Sequence, residues 1–200
     1  MPRDDAYGRR ITDPQALRAI AHPGRFAILE RLQVDGPATA TECAEVAGLS
    51  PSACSYHLRL LARYGFVEED EARSDARERV WRAVFRGWQS EIGDDVDRRE
   101  SRAVDMALAR VMLDSADRKA LAWTDHAREE PAEWQDAALL SNSTIVVTAQ
   151  ELAEVTDRLM EVLRPYFATS REGEEMPEGA RLVHAALRLI PRTTARPPQR

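Results

Sequence analysis

Between residues 12 and 64 apolar side chains recur at three- and four-residue intervals, and each run is cut short by a turn-forming residue. Leu17, Ile20 and Ala21 follow Thr12-Asp13-Pro14-Gln15. A capping threonine, a proline in the first turn and a glutamine three residues on predict a helix opened by a capping box. His22-Pro23-Gly24 interrupts, and Phe26, Ile28, Leu29 and Leu32 mark a second amphipathic helix that stops near Asp35-Gly36-Pro37. Thr39 or Thr41 is placed to cap a short helix carrying Cys43, Val46 and Ala47 and ended by Gly48. Ser50-Pro51 opens the next helix, with a serine cap and a proline at the first helical position. Its apolar stripe is Cys54, Leu58 and Leu61, with Leu60 alongside, and it ends at Tyr64-Gly65. A short helix, a glycine-containing turn and a longer helix with one apolar stripe make a helix-turn-helix.

The pattern then changes. Phe66-Val67-Glu68-Glu69 and Arg79–Phe85 read as strands, joined by the charged, turn-prone stretch 70–75. A hairpin directly after a helix-turn-helix is a wing. A charged connector, 90–99, marks a domain boundary. Beyond it Val104, Leu108, Val111 and Met112 line a helix from about Glu100 to Leu113, and 120–128 reads as a second, weaker helix. Leu139, Leu140 and Ile145-Val146-Val147 favour a strand within 137–147. Thr148-Ala149-Gln150-Glu151 is another capping box, ahead of Leu152, Val155, Leu159, Val162, Leu163 and Tyr166. After a loop rich in Gly and Glu, 181–190 is a further candidate strand. The expected fold is mainly α with a small β component (α+β): a winged helix-turn-helix domain over 1–90, a helical and α+β dimerisation region over 91–190, and a disordered tail, 191–200.

Charge modifies this picture only slightly. The net charge is −6, but residues 1–92 carry a balance of −1 and the remainder −5. A near-neutral N-terminal region binds phosphates when its arginines share one face, because affinity follows local charge. Lys119 is the one lysine among the basic residues, which fits a GC-rich genome. No apolar run approaches the roughly 18 residues of a membrane span. The polar start, and two cysteines without framework spacing, lead us to expect a cytoplasmic protein.

The run Ala21-His22-Pro23-x-Arg25-x-x-Ile28-Leu29-x-x-Leu32, then Gly48-Leu49-Ser50, Ser55-Tyr56-His57-Leu58-x-x-Leu61 and Gly65-Phe66-Val67 resembles the ArsR/SmtB-type winged-helix regulators. The motifs cover roughly residues 12–86. The C-terminal half resembles the extension of larger actinobacterial members only in general pattern. The resemblance implies a homodimer that lays a recognition helix in the major groove of double-stranded DNA and regulates transcription, as a repressor on a palindromic operator.

Residues off the apolar stripe of that helix are free to face DNA: Pro51, Ser52, Ala53, Ser55, Tyr56 and Arg59. His57 reads either as a phosphate contact or as a residue packed at the helix edge. Arg73, Arg77 and Arg79 of the wing are candidate phosphate or minor-groove contacts. In the family's thiol site two cysteines stand where this chain has Thr39 and Thr41, and its other metal site needs histidines that 100–113 lacks. Cys54 and His57 are close enough in sequence to share a metal, but Cys54 lies on the apolar stripe, where free cysteine acts as a small hydrophobe. No cofactor is expected. Without a phosphate-binding glycine loop, a nucleophile elbow or a nucleophile–base pair, an enzyme is not expected either. Trp123, Trp134, Tyr166 and Phe167 either fill a core or line a pocket for a small apolar or aromatic effector. The alternative function is an adaptor, a winged-helix dimer that binds a protein and not DNA.

Overall fold

The computed structural model describes residues 9–71, 79–85, 87–90, 98–167 and 176–192. A short strand, β1 (Arg9–Ile11), precedes α1 (Pro14–Ile20) and α2 (Pro23–Val34). The cap of α1 is Asp13, whose carboxylate accepts from the Gln15 amide at 2.9 Å, and not Thr12. Pro14 at the first helical position holds the residue before it extended, so the cap falls on Asp13. Then follow β2 (Ala38–Thr39), α3 (Ala40–Ala47), α4 (Pro51–Arg63), β3 (Val67–Glu69) and β4 (Val80–Ala83). Of the two threonines that could cap α3, Thr39 does so: its hydroxyl accepts from Glu42 N at 3.2 Å while Glu42 accepts from Thr39 N at 2.7 Å.

The wing strands pair antiparallel, with Val67 opposite Ala83 and Glu69 opposite Trp81, and β2 adds a third strand through Ala38 opposite Trp81. β5 (Trp88–Ser90) pairs in parallel with β1, bringing the end of the wing back beside the start of α1. Neither β1, β2 nor β5 is among the expected elements; strands of two or three residues carry no periodic signal.

One core serves all of these. Leu17, Ile20, Ile28, Leu29, Leu58, Leu61, Phe66 and Val67 are almost completely inaccessible. Val104 and Leu108, from the helix after the wing, complete it. That helix, α5 (Arg98–His126), is continuous over 29 residues, where the apolar pattern suggests two pieces. Its middle is polar because its packing there is polar. Ser115 Oγ and Lys119 Nζ, one turn apart, donate to the two carboxylate oxygens of Glu30 on α2 at 2.7 and 2.6 Å.

Beyond α5, a 3-10 turn leads to α6 (Ala132–Ala137), and α7 (Ala149–Leu163) follows, capped by Thr148 and Glu151 as its sequence predicts. The strands expected within 137–147 and 181–190 are not formed in the single chain. A strand exists only as half of a ladder, and neither segment meets a ladder partner here. The described residues are thus mainly helical, with two small sheets in the N-terminal region.

Candidate nucleic-acid interface

Gly48 ends α3 in the left-handed conformation (φ 64°), which an L side chain adopts only with strain, and the chain turns directly into α4. Ser50 caps α4, its hydroxyl accepting from Ala53 N at 3.2 Å, and Pro51 takes the first helical position. The stripe of Cys54, Leu58 and Leu61 is buried against α2 and α3. On the other side Ser52, Tyr56 and Arg59 are exposed, Arg63 extends that face by a further turn, and Pro51 is exposed at the helix start. Ala53, Ser55 and His57 are half-buried. Four of the seven helix residues singled out in sequence are therefore exposed: Ser52, Tyr56 and Arg59 share one face, and Pro51 stands at the helix start. The Ser52 hydroxyl is also 3.1 Å from the capping Ser50 hydroxyl, so it has a neighbour within the protein as well as solvent to face.

His57 lies at the helix edge, its ring centroid 5.0 Å from that of His22 and 5.5 Å from that of Tyr56. Neither His22 Nδ1 nor His57 Nδ1 has a hydrogen-bond partner among the described residues. Burial lowers the pKa of both rings. Arg25 depresses each further, and for His57 so does His22. The rings are thereby held neutral near pH 7, which makes His57 a weak phosphate partner. Arg25 acts structurally: its guanidinium donates to the carbonyls of Ala19 and Arg18, satisfying acceptors left over where α1 ends. Sequence reasoning did not find this role, although a basic residue just past a helix end is the signal for it.

In the wing Arg79 is ion-paired with Glu69 at 2.7 Å, and Arg82 with Glu68. Arg79 remains largely exposed, so its guanidinium keeps donors to offer. Arg73 and Arg77 lie outside the described residues. The exposed side of α3 carries Glu42 and Glu45, acidic neighbours that the sequence reading did not weigh.

Cys43 and Cys54 are fully buried and hydrogen-bonded to each other, and that bond together with burial pushes the Cys43 thiol up. Cys54 and His57 therefore serve different neighbours, one in the core and one at the helix edge. Among the described residues no group of three or more His, Cys, Asp or Glu is gathered to hold a metal. Two clefts, of about 300 and 250 Å³, lie in the N-terminal region, and neither is lined by Trp123, Trp134, Tyr166 or Phe167. None of those four is buried, and Trp134 is covered by the Arg181 guanidinium at 4.9 Å from its ring centroid. No helix among the described residues is long and apolar enough to cross a membrane.

Residues 20–70 match a family model described as a helix-turn-helix domain. Over 56 residues the chain is 43% identical to the HTH-type transcriptional regulator NmtR of Mycobacterium tuberculosis, a match that covers 28% of this chain and 46% of that protein. The chain thus spans about half the length of that curated relative. Among solved structures it is similar to reduced HlyU from Vibrio cholerae, at 24% identity over 45% of this chain and 78% of that one, with a TM-score of 0.30. It is also similar to the homodimeric winged helix-turn-helix DNA-binding domain of Mb0332 from Mycobacterium bovis, described as a possible ArsR-family transcriptional regulator. That match has 25% identity over 51% and 80% of the two chains and a TM-score of 0.31.

Proposed function

From the ArsR/SmtB-type winged helix-turn-helix that forms the N-terminal region of this chain, we propose a sequence-specific DNA-binding regulator of transcription. The observation that carries the reading is the division of α4. Its buried stripe locks the helix onto α2 and α3, while Ser52, Tyr56 and Arg59 are exposed on the opposite face and Pro51 at the helix start. Such a helix can enter the major groove, with Arg59 reaching a base edge or phosphate and Tyr56 offering a ring to a thymine methyl and a hydroxyl to the backbone. Ala53, Ser55 and His57 flank that face, and Arg79, with Arg73 and Arg77 on the sequence reading alone, supplies contacts to the DNA backbone. The regulator works in the cytoplasm as a homodimer on a palindromic operator, its half-sites about one helical turn apart, and represses by occupying the promoter. It catalyses no reaction.

Genome-fragment selection with the purified protein at moderate salt tests this, run in parallel with the Tyr56→Ala, Arg59→Ala double variant. The expected result is an enriched palindromic site that the double variant loses, with an affinity that falls steeply as salt rises. If no fragment is enriched and the two proteins behave alike, the reading fails and the acidic Glu42 and Glu45 on α3 point to a protein partner instead.

A further inference from the structure

The C-terminal region contains two segments of strand-like composition that form no ladder. Residues 139–147 run without helix, turn or bend, and among the described residues none of them makes a main-chain hydrogen bond. The same holds for 181–190. Side-chain contacts hold this second segment along α5. Arg181 donates to Glu130 at 2.7 Å, and Arg188 to Asp117 at 2.6 Å, so the segment runs antiparallel to the helix. The stretch between those carboxylates, the end of α5 and the 3-10 turn after it, is roughly 20 Å long at about 1.5 Å per residue, and the few residues between the two arginines cover it only when nearly extended.

Both segments are strongly apolar and both face solvent. Leu139 is 87% exposed, Val146 96% and Ile190 80%, and Leu140, Ile145, Leu182, Val183 and Leu187 are exposed as well. α7 lies between them in sequence, is amphipathic, and buries no residue. An isolated 15-residue helix is marginal in water, and unpaired strand edges are templates for another chain. The surface has the makings of one αβ layer whose hydrogen bonds are missing.

We infer that a second copy of this chain supplies them: residues 139–147 of each protomer pair with 181–190 of the other, and α7 covers the joint sheet. The inference deepens the homodimer of the proposed function and rests on it. Charge argues for a self-partner. Residues 139–147 carry no charge, and both arginines of 181–190 are already matched by carboxylates of their own chain. What remains is uncharged and offers nothing to select a charged partner. The two segments are also matched in length, at roughly 30 Å each when extended, so each can satisfy the other's backbone along its whole run. Among the described residues between 139 and 190, fourteen large apolar side chains are exposed in the single chain, a supply suited to the roughly 800 Å² per partner of a standard interface.

The test uses the full chain with the photo-crosslinker p-benzoylphenylalanine at Val146, mixed as nitrogen-14 and nitrogen-15 forms, with mass measured by light scattering. A mass of two chains, with mixed-isotope crosslinks into 181–190, is the expected result. A dimer whose crosslinks from Val146 stay within one chain, or reach the partner elsewhere, overturns the exchanged sheet and leaves the homodimer standing. A monomer at concentrations where the protein binds its operator overturns both. A second variant, Val146→Asp with Val183→Asp, is expected to halve the mass. Misfolding is controlled by thiol titration: Cys43 and Cys54 are buried in the N-terminal core and stay unreactive while that core is intact. Mass unchanged in this variant, with the thiols masked, also overturns the inference.

Discussion

Leu17, Ile20, Leu58 and Leu61 are sealed from water, while Leu139, Val146, Val183 and Ile190, just as apolar, stand in it. The two sets belong to the two halves of one chain, and side-chain chemistry does not separate them. What differs is where the complement lies. In the N-terminal region each apolar stripe meets another of the same molecule: α1 against α5, α2 against α3 and α4, the wing against α2. In the C-terminal region the stripes and the backbone edges are present, but their complements are not reached within the same molecule. An apolar pattern states that a face must be buried and does not state by which molecule.

That contrast can be broken at its strongest point. Leu58→Ala removes a fully buried side chain and should cost about 2–5 kcal/mol, equally at low and high protein concentration. Leu182→Ala, on the exposed segment, should instead lower stability by an amount that shrinks on dilution, because its burial depends on association. Urea unfolding at two concentrations separated by about a hundredfold reads both. A concentration-independent loss for Leu182→Ala would erase the distinction.

A smaller effect sharpens the comparison, since the same capping box occurs once in each half. Thr39 with Glu42 and Thr148 with Glu151 have matching geometry, 3.2 Å for the bond into the hydroxyl and 2.7 Å for the reciprocal one. Thr39→Ala should lower global stability by about 1 kcal/mol, because α3 belongs to the core. Thr148→Ala should fray α7 locally and leave the N-terminal unfolding midpoint unchanged. Hydrogen exchange in α7, compared with the urea midpoint, distinguishes the two outcomes.

The smallest expected effect is a pH dependence of the N-terminal region. The pKa values of His22 and His57 are lowered in the fold from the ordinary 6.5. The unfolded chain therefore takes up protons first as pH falls, and the contribution of the neutral pair is complete above 6.5 and lost as pH drops through the folded values. The urea midpoint should decline modestly between about pH 7.5 and 5.5, and His22→Gln with His57→Gln should flatten the decline. An unchanged slope in that variant would remove the pair as its source.

The helix-turn-helix was legible because its boundaries are local. Ser50-Pro51 starts α4 and Gly48 stops α3 through backbone chemistry contained in a few residues, and the stripe of Cys54, Leu58 and Leu61 shows which face turns inward. The exposed face of α4 followed from that stripe by exclusion. Long-range features were not legible. The parallel pairing of β1 with β5 joins residues far apart in sequence, and no pattern in Arg9–Ile11 announces it. The continuity of α5 was hidden because Ser115 and Lys119 pack on Glu30, a polar contact that leaves a gap in an apolar periodicity. The strands expected within 137–147 and 181–190 fail for a different reason. Their composition suits strands, but pairing is a property of two segments together, and a single chain does not bring these two into a ladder.

Lys119 carries the chain's single ε-amine, and that amine is clamped to Glu30 at 2.6 Å across the α2–α5 junction. Side-chain amine chemistry on this protein therefore falls at one address. Reductive methylation with carbon-13 formaldehyde would install one side-chain NMR probe at the joint between α2 of the helix-turn-helix region and the long helix. Its chemical shift would report, without any engineered label, whether that joint moves when DNA or a second chain is bound. The same uniqueness makes lysine-directed crosslinkers nearly blind on this molecule, so an assembly they fail to capture is not thereby absent.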